Sequence, residues 1–263
     1  MGHPIFHLEL TITNGGVDLR LNDFPAATLA SGSTPATFAP PINPYLVGEL
    51  NVLDVRLSPW FDEAGTVTSF WDVDFHAWVR RYEKGDIVEP GGGDLVTEVT
   101  IPDDLIERVR DQELELPQSF THVFSNDAVD FSAELSDAPT YDDPDALRDY
   151  AMHLQSLFAT ADVPALMQES APRSRVWSVA YDHPQDEIAA SMESELTEVV
   201  SAPLETDWGR DEVELTPRCG GRVWELSRTG GRPLIATEPD EDGSRIHFEI
   251  FVAPRDGRLR WVR

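Results

Sequence analysis

The spacing of apolar residues along this chain changes near Pro139, and that change constrains the fold more than any single motif. Before it, apolar and polar residues alternate. Within residues 66–81, Trp71, Val73, Phe75, Ala77 and Val79 share one side, while Asp72, Asp74, His76 and Arg80 share the other, interrupted by Trp78. A period of two sends successive side chains to opposite faces, so this run predicts a strand with one buried and one wet face. Leu53, Val55 and Leu57 against Asp54 and Arg56 repeat the pattern within 45–57. Residues 5–12 and 17–21 are two further strands, and Asn14-Gly15-Gly16 between them predicts a tight hairpin, since such residues accept positive φ. A loop is expected over 30–44, where Pro40, Pro41 and Pro44 forbid a regular ladder. A strand is expected over 95–101, a helical turn over 103–109 and another extended stretch over 120–131.

After Pro139 the period becomes helical. Asp142-Asp143-Pro144-Asp145 combines a capping carboxylate, a proline for the first turn and negative charge at the positive end of the helix dipole. Leu147, Tyr150, Ala151, Leu154 and Phe158 then follow at helical spacing, and Asp162 with Pro164 opens a second, short helix. Residues 175–181 look strand-like and 185–200 form a third helix, with Ile188, Met192, Leu196 and Val199 in one stripe. Hairpin-linked strands follow through Trp261, punctuated by Gly220-Gly221, Gly230-Gly231 and Asp256-Gly257. The expected fold is therefore mainly β plus α+β: an antiparallel, jelly-roll-like β-sandwich over 1–138, then an α+β domain over 139–263.

Two stretches carry resemblances to known families. The run LRDYAMHLQSLFATADVPALM, Leu147 to Met167, with the helix-then-meander order around it, resembles the NTF2-like (SnoaL-like) α+β cone. That superfamily includes small-molecule enzymes, ligand binders and plain association modules. Its usual Asp–His or Asp–Asp catalytic arrangement has no counterpart here, so the resemblance implies the fold without an activity. In the first half, the segment from Asn43 through Gly48 and Asn51 to Val55 resembles a strand of galactose-binding-like jelly rolls, with one residue more between the glycine and the asparagine. Such sandwiches bind glycans or pack against a neighbour.

Charge narrows the partners. The 263 residues carry 48 acids against 20 Lys and Arg, a formal net charge of -28, and Lys84 is the one lysine. Such a surface repels nucleic-acid phosphates and anionic membranes. It suits a basic protein partner, as an immunity-type binder of a basic nuclease would have, or the concentrated salt of a halophilic bacterium, where screening relieves self-repulsion. The start Met1-Gly2-His3-Pro4 lacks a basic region and an apolar run, and no stretch is long enough to span a bilayer. With Cys219 as its single cysteine, the chain reads as a soluble cytoplasmic protein.

Few residues suggest chemistry. Asp72, Asp74 and His76 share a strand face, but same-face neighbours stand about 7 Å apart, too far to chelate one ion unaided; a solvated face explains them. His247 and Glu249, near Arg245, have the types for general acid–base work, and equally for an exposed or dimerising sheet face. Asp182-His183-Pro184 reads as a turn and helix cap. Gly91-Gly92-Gly93 lacks the Lys-Ser/Thr of a phosphate loop, and Cys219 beside Arg218 has no base. Trp60 and Trp78 are candidate sugar platforms. No motif asks for a cofactor or a metal. The expectation is a non-catalytic two-domain interaction protein with a basic protein partner, and a homodimer through the C-terminal sheet as a further possibility. Two alternatives stand beside it. One is a small-molecule pocket drawing on Tyr150, Trp177, Trp224, His247 and Glu249. The other is a glycan-binding sandwich.

Overall fold

The structure, a computed structural model, describes residues 3–60, 73–110, 117–240 and 243–263, without the side chains of 109 and 110. The fold is mixed α+β with antiparallel sheets throughout. It divides into two compact units, Met1–Ser132 and Ala133–Arg263.

In the first unit the alternating segments become β1 (Ile5–Thr13), β2 (Gly15–Leu21), β3 (Phe24–Ser31), β4 (Ala36–Phe38), β5 (Asn51–Pro59), β6 (Asp74–Tyr82) and β7 (Asp94–Val99). After α1 (Asp103–Arg110) comes β8 (Gln118–Phe124). They form two four-stranded sheets, β4-β1-β6-β7 and β3-β2-β5-β8. The longest pairing joins β1 to β6 from Ile5↔Tyr82 to Thr13↔Asp74, which puts Leu8, Leu10 and Ile12 with Phe75, Ala77 and Val79 on one buried face. The sheets meet through these faces: the rings of Phe75 and Phe120 lie 6.3 Å apart edge to face, and Thr97 Oγ1 lies 2.8 Å from His122 Nε2.

The Asn14-Gly15-Gly16 corner differs from expectation. β1 and β2 belong to different sheets, so Asn14, at φ 55°, turns the chain from one sheet into the other instead of closing a hairpin. Neither glycine has a positive φ; closeness requires them. A Cβ on Gly15 would come within 2.9 Å of Val73 Cγ1, and one on Gly16 within 2.5 Å of Ser58 Oγ. The tight hairpin lies one strand later, at Asn22-Asp23 between β2 and β3, with φ of 50° and 75°. Two successive left-handed residues match the right-handed twist of the strands they join.

Buried asparagines hold the long connection into β5. The expected strand from Tyr45 begins only at Asn51, because Asn43–Tyr45 is a short 3-10 turn. Asn43 is fully buried; its Oδ1 accepts from Phe6 N (2.6 Å) and its Nδ2 donates to Pro4 O (2.9 Å). Asn51, equally buried, accepts from Val47 N (2.8 Å) and from Asn22 Nδ2 (2.9 Å), and donates to Val47 O (3.0 Å). The extended stretch expected over 120–131 ends at Phe124. Asn126 turns the chain there, its Oδ1 accepting from Ala128 N and Val129 N at 2.9 and 3.2 Å.

The second unit opens on helices. The end of α2 (Ser132–Leu135) leads to α3 (Pro144–Ala159), α4 (Val163–Glu169), α5 (Ala171–Tyr181) and α6 (Gln185–Ser201). Asp143 and Asp162 accept from Ala146 N and Ala165 N at 3.0 and 3.1 Å, the caps anticipated for α3 and α4. Residues 175–181, expected as a strand, lie inside α5. Their β-branched and aromatic residues favour strands, but Pro172 in the first turn and ring packing between Trp177 and Tyr181, four residues apart, favour the helix. Asp182, expected as part of the cap for α6, instead ends α5 in a left-handed conformation, with Pro184 at the N-cap of α6.

Strands β9 (Val213–Arg218), β10 (Val223–Arg228), β11 (Arg232–Pro233), β12 (Ile235–Ala236), β13 (His247–Phe248), β14 (Ile250–Arg255) and β15 (Arg258–Trp261) complete the unit. β10 pairs with β9, β11 and β14, β14 pairs with β15, and β12 pairs with β13. Leu147, Leu154, Phe158, Met192, Leu196, Leu226, Phe248, Ile250, Val252 and Trp261 fill the space between helices and sheet.

Asn51→Ala removes the acceptor of the buried Val47 N–H and of Asn22 Nδ2 and should cost about 2–4 kcal/mol, measured by urea unfolding. Burial holds the His122 imidazole below its ordinary 6.5. The fold thus prefers its neutral form, and the stability it contributes is complete above 6.5 and drains away as pH falls from there toward the lower folded value. His122→Gln should therefore flatten the decline in urea midpoint over that acid range.

Candidate functional site

One group of polar side chains that unit 2 withdraws from water lies at the end of α4. Glu169, its last residue, has a side chain only 13% exposed. From α3, Tyr150 Oη donates to its Oε2 at 2.8 Å, and from β15, Arg260 Nη1 donates to its Oε1 at 2.7 Å. His153, one helical turn beyond Tyr150, places Nε2 3.4 Å from Oε1. Burial pushes the Glu169 carboxyl up, but Arg260, Tyr150 and His153 together outweigh it and hold the group below its ordinary value. Burial and then the hydrogen bond to Glu169 push the Tyr150 phenol far up. A general acid or base works best with a pKa near the operating pH. Here the carboxylate is held ionised and the phenol protonated, both driven away from neutrality. The arrangement fastens α3, α4 and β15 together and is not poised to exchange protons.

Beside it lies an aromatic box that already contains a cation. The guanidinium carbon of Arg173 sits 5.0 Å from the ring centre of Trp261, 5.5 Å from Trp177 and 5.9 Å from Phe248. Arg173 and Trp177 meet because they are four residues apart on α5, and the ring quadrupoles attract the guanidinium where water is scarce. Trp261 is fully buried, packs edge to face on Phe248 (5.3 Å), and donates from Nε1 to the carbonyl of Arg263 at 2.6 Å.

The predicted pocket residues are distributed around this core. Tyr150 and Trp177 reach the clusters just described. Trp224 lies partly buried on the core side of β10, its Nε1 donating to Tyr141 O at 2.9 Å. His247 and Glu249 are exposed, alternating with Phe248 and Ile250, which enter the core. The structure thus keeps this His–carboxylate pair apart from Tyr150, and Arg245, expected beside it, is ion-paired with Glu205. The inward ionisable group is Glu169, which sequence reasoning missed with Arg173, Arg260 and Trp261. The four-residue spacing of Arg173, Trp177 and Tyr181 was the available signal.

In unit 1 the wet face of β6 forms a ladder. Asp74 lies 3.0 Å from His76 Nε2, the His76 ring is parallel to that of Trp78 (5.7 Å, 6°), and the Arg80 guanidinium stands 6.0 Å over the Trp78 ring from the opposite side along the strand. A sugar platform needs a free ring face, and here both neighbours of Trp78 along the strand use its π-system. The Trp60 indole lies against Gly32. Asp72 lies outside the described residues. Among the described residues no three His, Cys, Asp or Glu side chains gather as a metal site. Gly91 N, in the glycine run, donates to both oxygens of Glu9 at 3.1 and 3.2 Å, so the chain's own carboxylate occupies the place an anion would take. Cys219 begins the turn joining β9 to β10, and Arg218 beside it donates from Nε to Glu225 at 2.9 Å.

Positive charge is committed to internal ion pairs in part, while Arg56, Arg175, Arg210, Arg232 and Arg258 are exposed. Arg80, Arg210, Arg218, Arg228, Arg260 and Arg263 each face a carboxylate of the chain. α6, by contrast, has Asp186, Glu187, Glu193, Glu195 and Glu198 exposed and no Lys or Arg of its own. No described helix is long and apolar enough to cross a membrane. Comparison with protein-family models, curated proteins and solved structures returned no match.

The depressed Glu169 carboxyl contributes stability that is complete above its ordinary value of 4.5 and is lost as pH falls through the lower folded value. Glu169→Gln keeps the shape but weakens the pairing with Arg260. It should lower the stability of the second unit at neutral pH by about 2–4 kcal/mol and remove part of its acid sensitivity, as read by denaturation at both pH values.

Proposed function

We propose that this chain is a non-catalytic association protein whose partner is a protein with a basic face. The observation that carries the proposal is the distribution of charge: many arginines are paired with carboxylates of the chain itself, and an acidic excess is left on the surface, five exposed acids along α6 among it. An unscreened excess of this size steers cationic partners and rejects phosphate-rich ones. The Tyr150–Glu169–Arg260 cluster supports the non-catalytic side of the reading, since its ionisable groups are held in fixed charge states. In this reading the first unit is a jelly-roll-like β-sandwich and the second an NTF2-like module serving as a scaffold. The two four-stranded sheets support the first assignment. Helices followed by an antiparallel sheet support the second, although the helix α5 departs from the strand anticipated in that pattern.

Affinity capture from native lysate at low salt, followed by reconstitution with the purified binder, tests the proposal. A saturable one-to-one complex with a basic protein is expected. Its affinity should fall steeply as salt rises. Absence of any stoichiometric basic partner, or turnover of a small molecule by the purified chain, overturns it.

A further inference from the structure

The connection between β6 and β7 exposes apolar side chains in acidic surroundings. Ile87 is 80% exposed, Val88 42% and Leu95 55%. Glu83, Asp86, Glu89 and Asp94 of the same stretch are exposed as well; Lys84 stands among them, and Arg81 at the end of β6 pairs with Glu83 at 2.7 Å and lies 3.8 Å from Asp94. Isolated apolar residues on a surface need no explanation, but these are held out by a built support.

That support has two turns and a buried anchor. Before Ile87, Asp86 N donates to Glu83 O at 3.0 Å and Glu83 N donates to Asp86 Oδ2 at 2.9 Å. After Val88, Gly92 N donates to Glu89 O at 2.9 Å, and Tyr82 Oη donates to the same carbonyl at 3.0 Å. Glu9, its side chain 8% exposed, receives Gly91 N and is paired with Arg80 at 2.6 Å, and Arg80 Nη1 reaches on to Gly92 O at 3.2 Å. A buried ion pair thus clamps the base of a loop whose tip is apolar. Ordering a loop costs affinity when it happens on binding, and here the fold has already met that cost.

We infer that this loop is the contact through which the chain engages its partner, a protein presenting an apolar patch fringed by lysine or arginine. The inference rests on the cationic-partner reading above and names its place. An apolar centre inside a charged rim is the usual anatomy of a protein contact. The sign of this rim selects the occupant: with Glu83 and Asp94 facing Arg81, the exposed Asp86 and Glu89 against Lys84 still leave it net negative, which repels a second copy of this chain and an anionic bilayer and attracts a basic fringe.

The full chain, isotopically labelled, is titrated with a synthetic peptide carrying leucines flanked by lysines, and with a matched peptide in which serine replaces leucine. The leucine peptide should shift the amide resonances of Ile87, Val88 and Leu95. It should bind roughly tenfold more tightly than the serine peptide and lose that margin in the double variant Ile87→Ser, Val88→Ser, which is expected to fold because both residues are exposed. Shifts centred on α6 with equal affinity for native chain and variant overturn the inference while leaving a cationic partner in place. If neither peptide binds, the partner reading itself falls. Binding of zwitterionic vesicles, or a dimer in sedimentation, that disappears in the double variant would also overturn the inference, by making the loop a membrane or self contact.

Discussion

Glu9, Glu169 and Glu205 are drawn out of water, and each is met by an arginine: Arg80 at 2.6 Å, Arg260 at 2.7 Å and Arg228 at 2.6 Å. A carboxylate loses several kcal/mol of solvation when buried, so it persists in such a place only when a cation and further donors answer it. Each pair has those further bonds: Gly91 N for Glu9, Tyr150 for Glu169, and Arg245 for Glu205, while Arg228 also donates to Pro233 O. The pairs join segments far apart in sequence, so both units depend on them for the placement of loops and helix ends.

The same economy of charge shapes the surface. A chain with 20 Lys and Arg against 48 acids, many of its arginines paired with its own carboxylates, cannot also neutralise its outside. The acids along α6 and around Ile87 and Val88 are left facing solvent, where they repel one another and any polyanion. At Arg173 the rings of Trp177, Phe248 and Trp261 add their attraction to that of Glu195, 4.0 Å away.

Local signals in the sequence were legible where one short-range interaction decides the outcome. The caps at Asp143 and Asp162, the stripe from Leu147 to Phe158 and the alternation of β6 need only neighbours within a turn or a strand. The signals failed where two local preferences compete. Residues 175–181 have strand-favouring side chains, yet Arg173, Trp177 and Tyr181 pack at helical spacing. Asn14-Gly15-Gly16 has hairpin composition, but the requirement there is room for Val73 and Ser58, which comes from strands distant in sequence. Around β13, alternation separated His247 and Glu249 from Phe248 and Ile250, but only the packing of the helices decided which set faced the core.

By itself the sequence determined the change from strand to helix and back, the helix starts, and a net charge of -28, because these depend on residue type and on spacing over a few positions. Tertiary structure alone decided that β1 and β2 enter different sheets, that Glu169 and not His247 is the inward ionisable group, and that Ile87 and Val88 stand exposed on a clamped loop. Each of these outcomes depends on contacts between residues tens of positions apart, such as Glu9 with Arg80 or Glu169 with Arg260, and no local preference encodes which distant partner a side chain will meet.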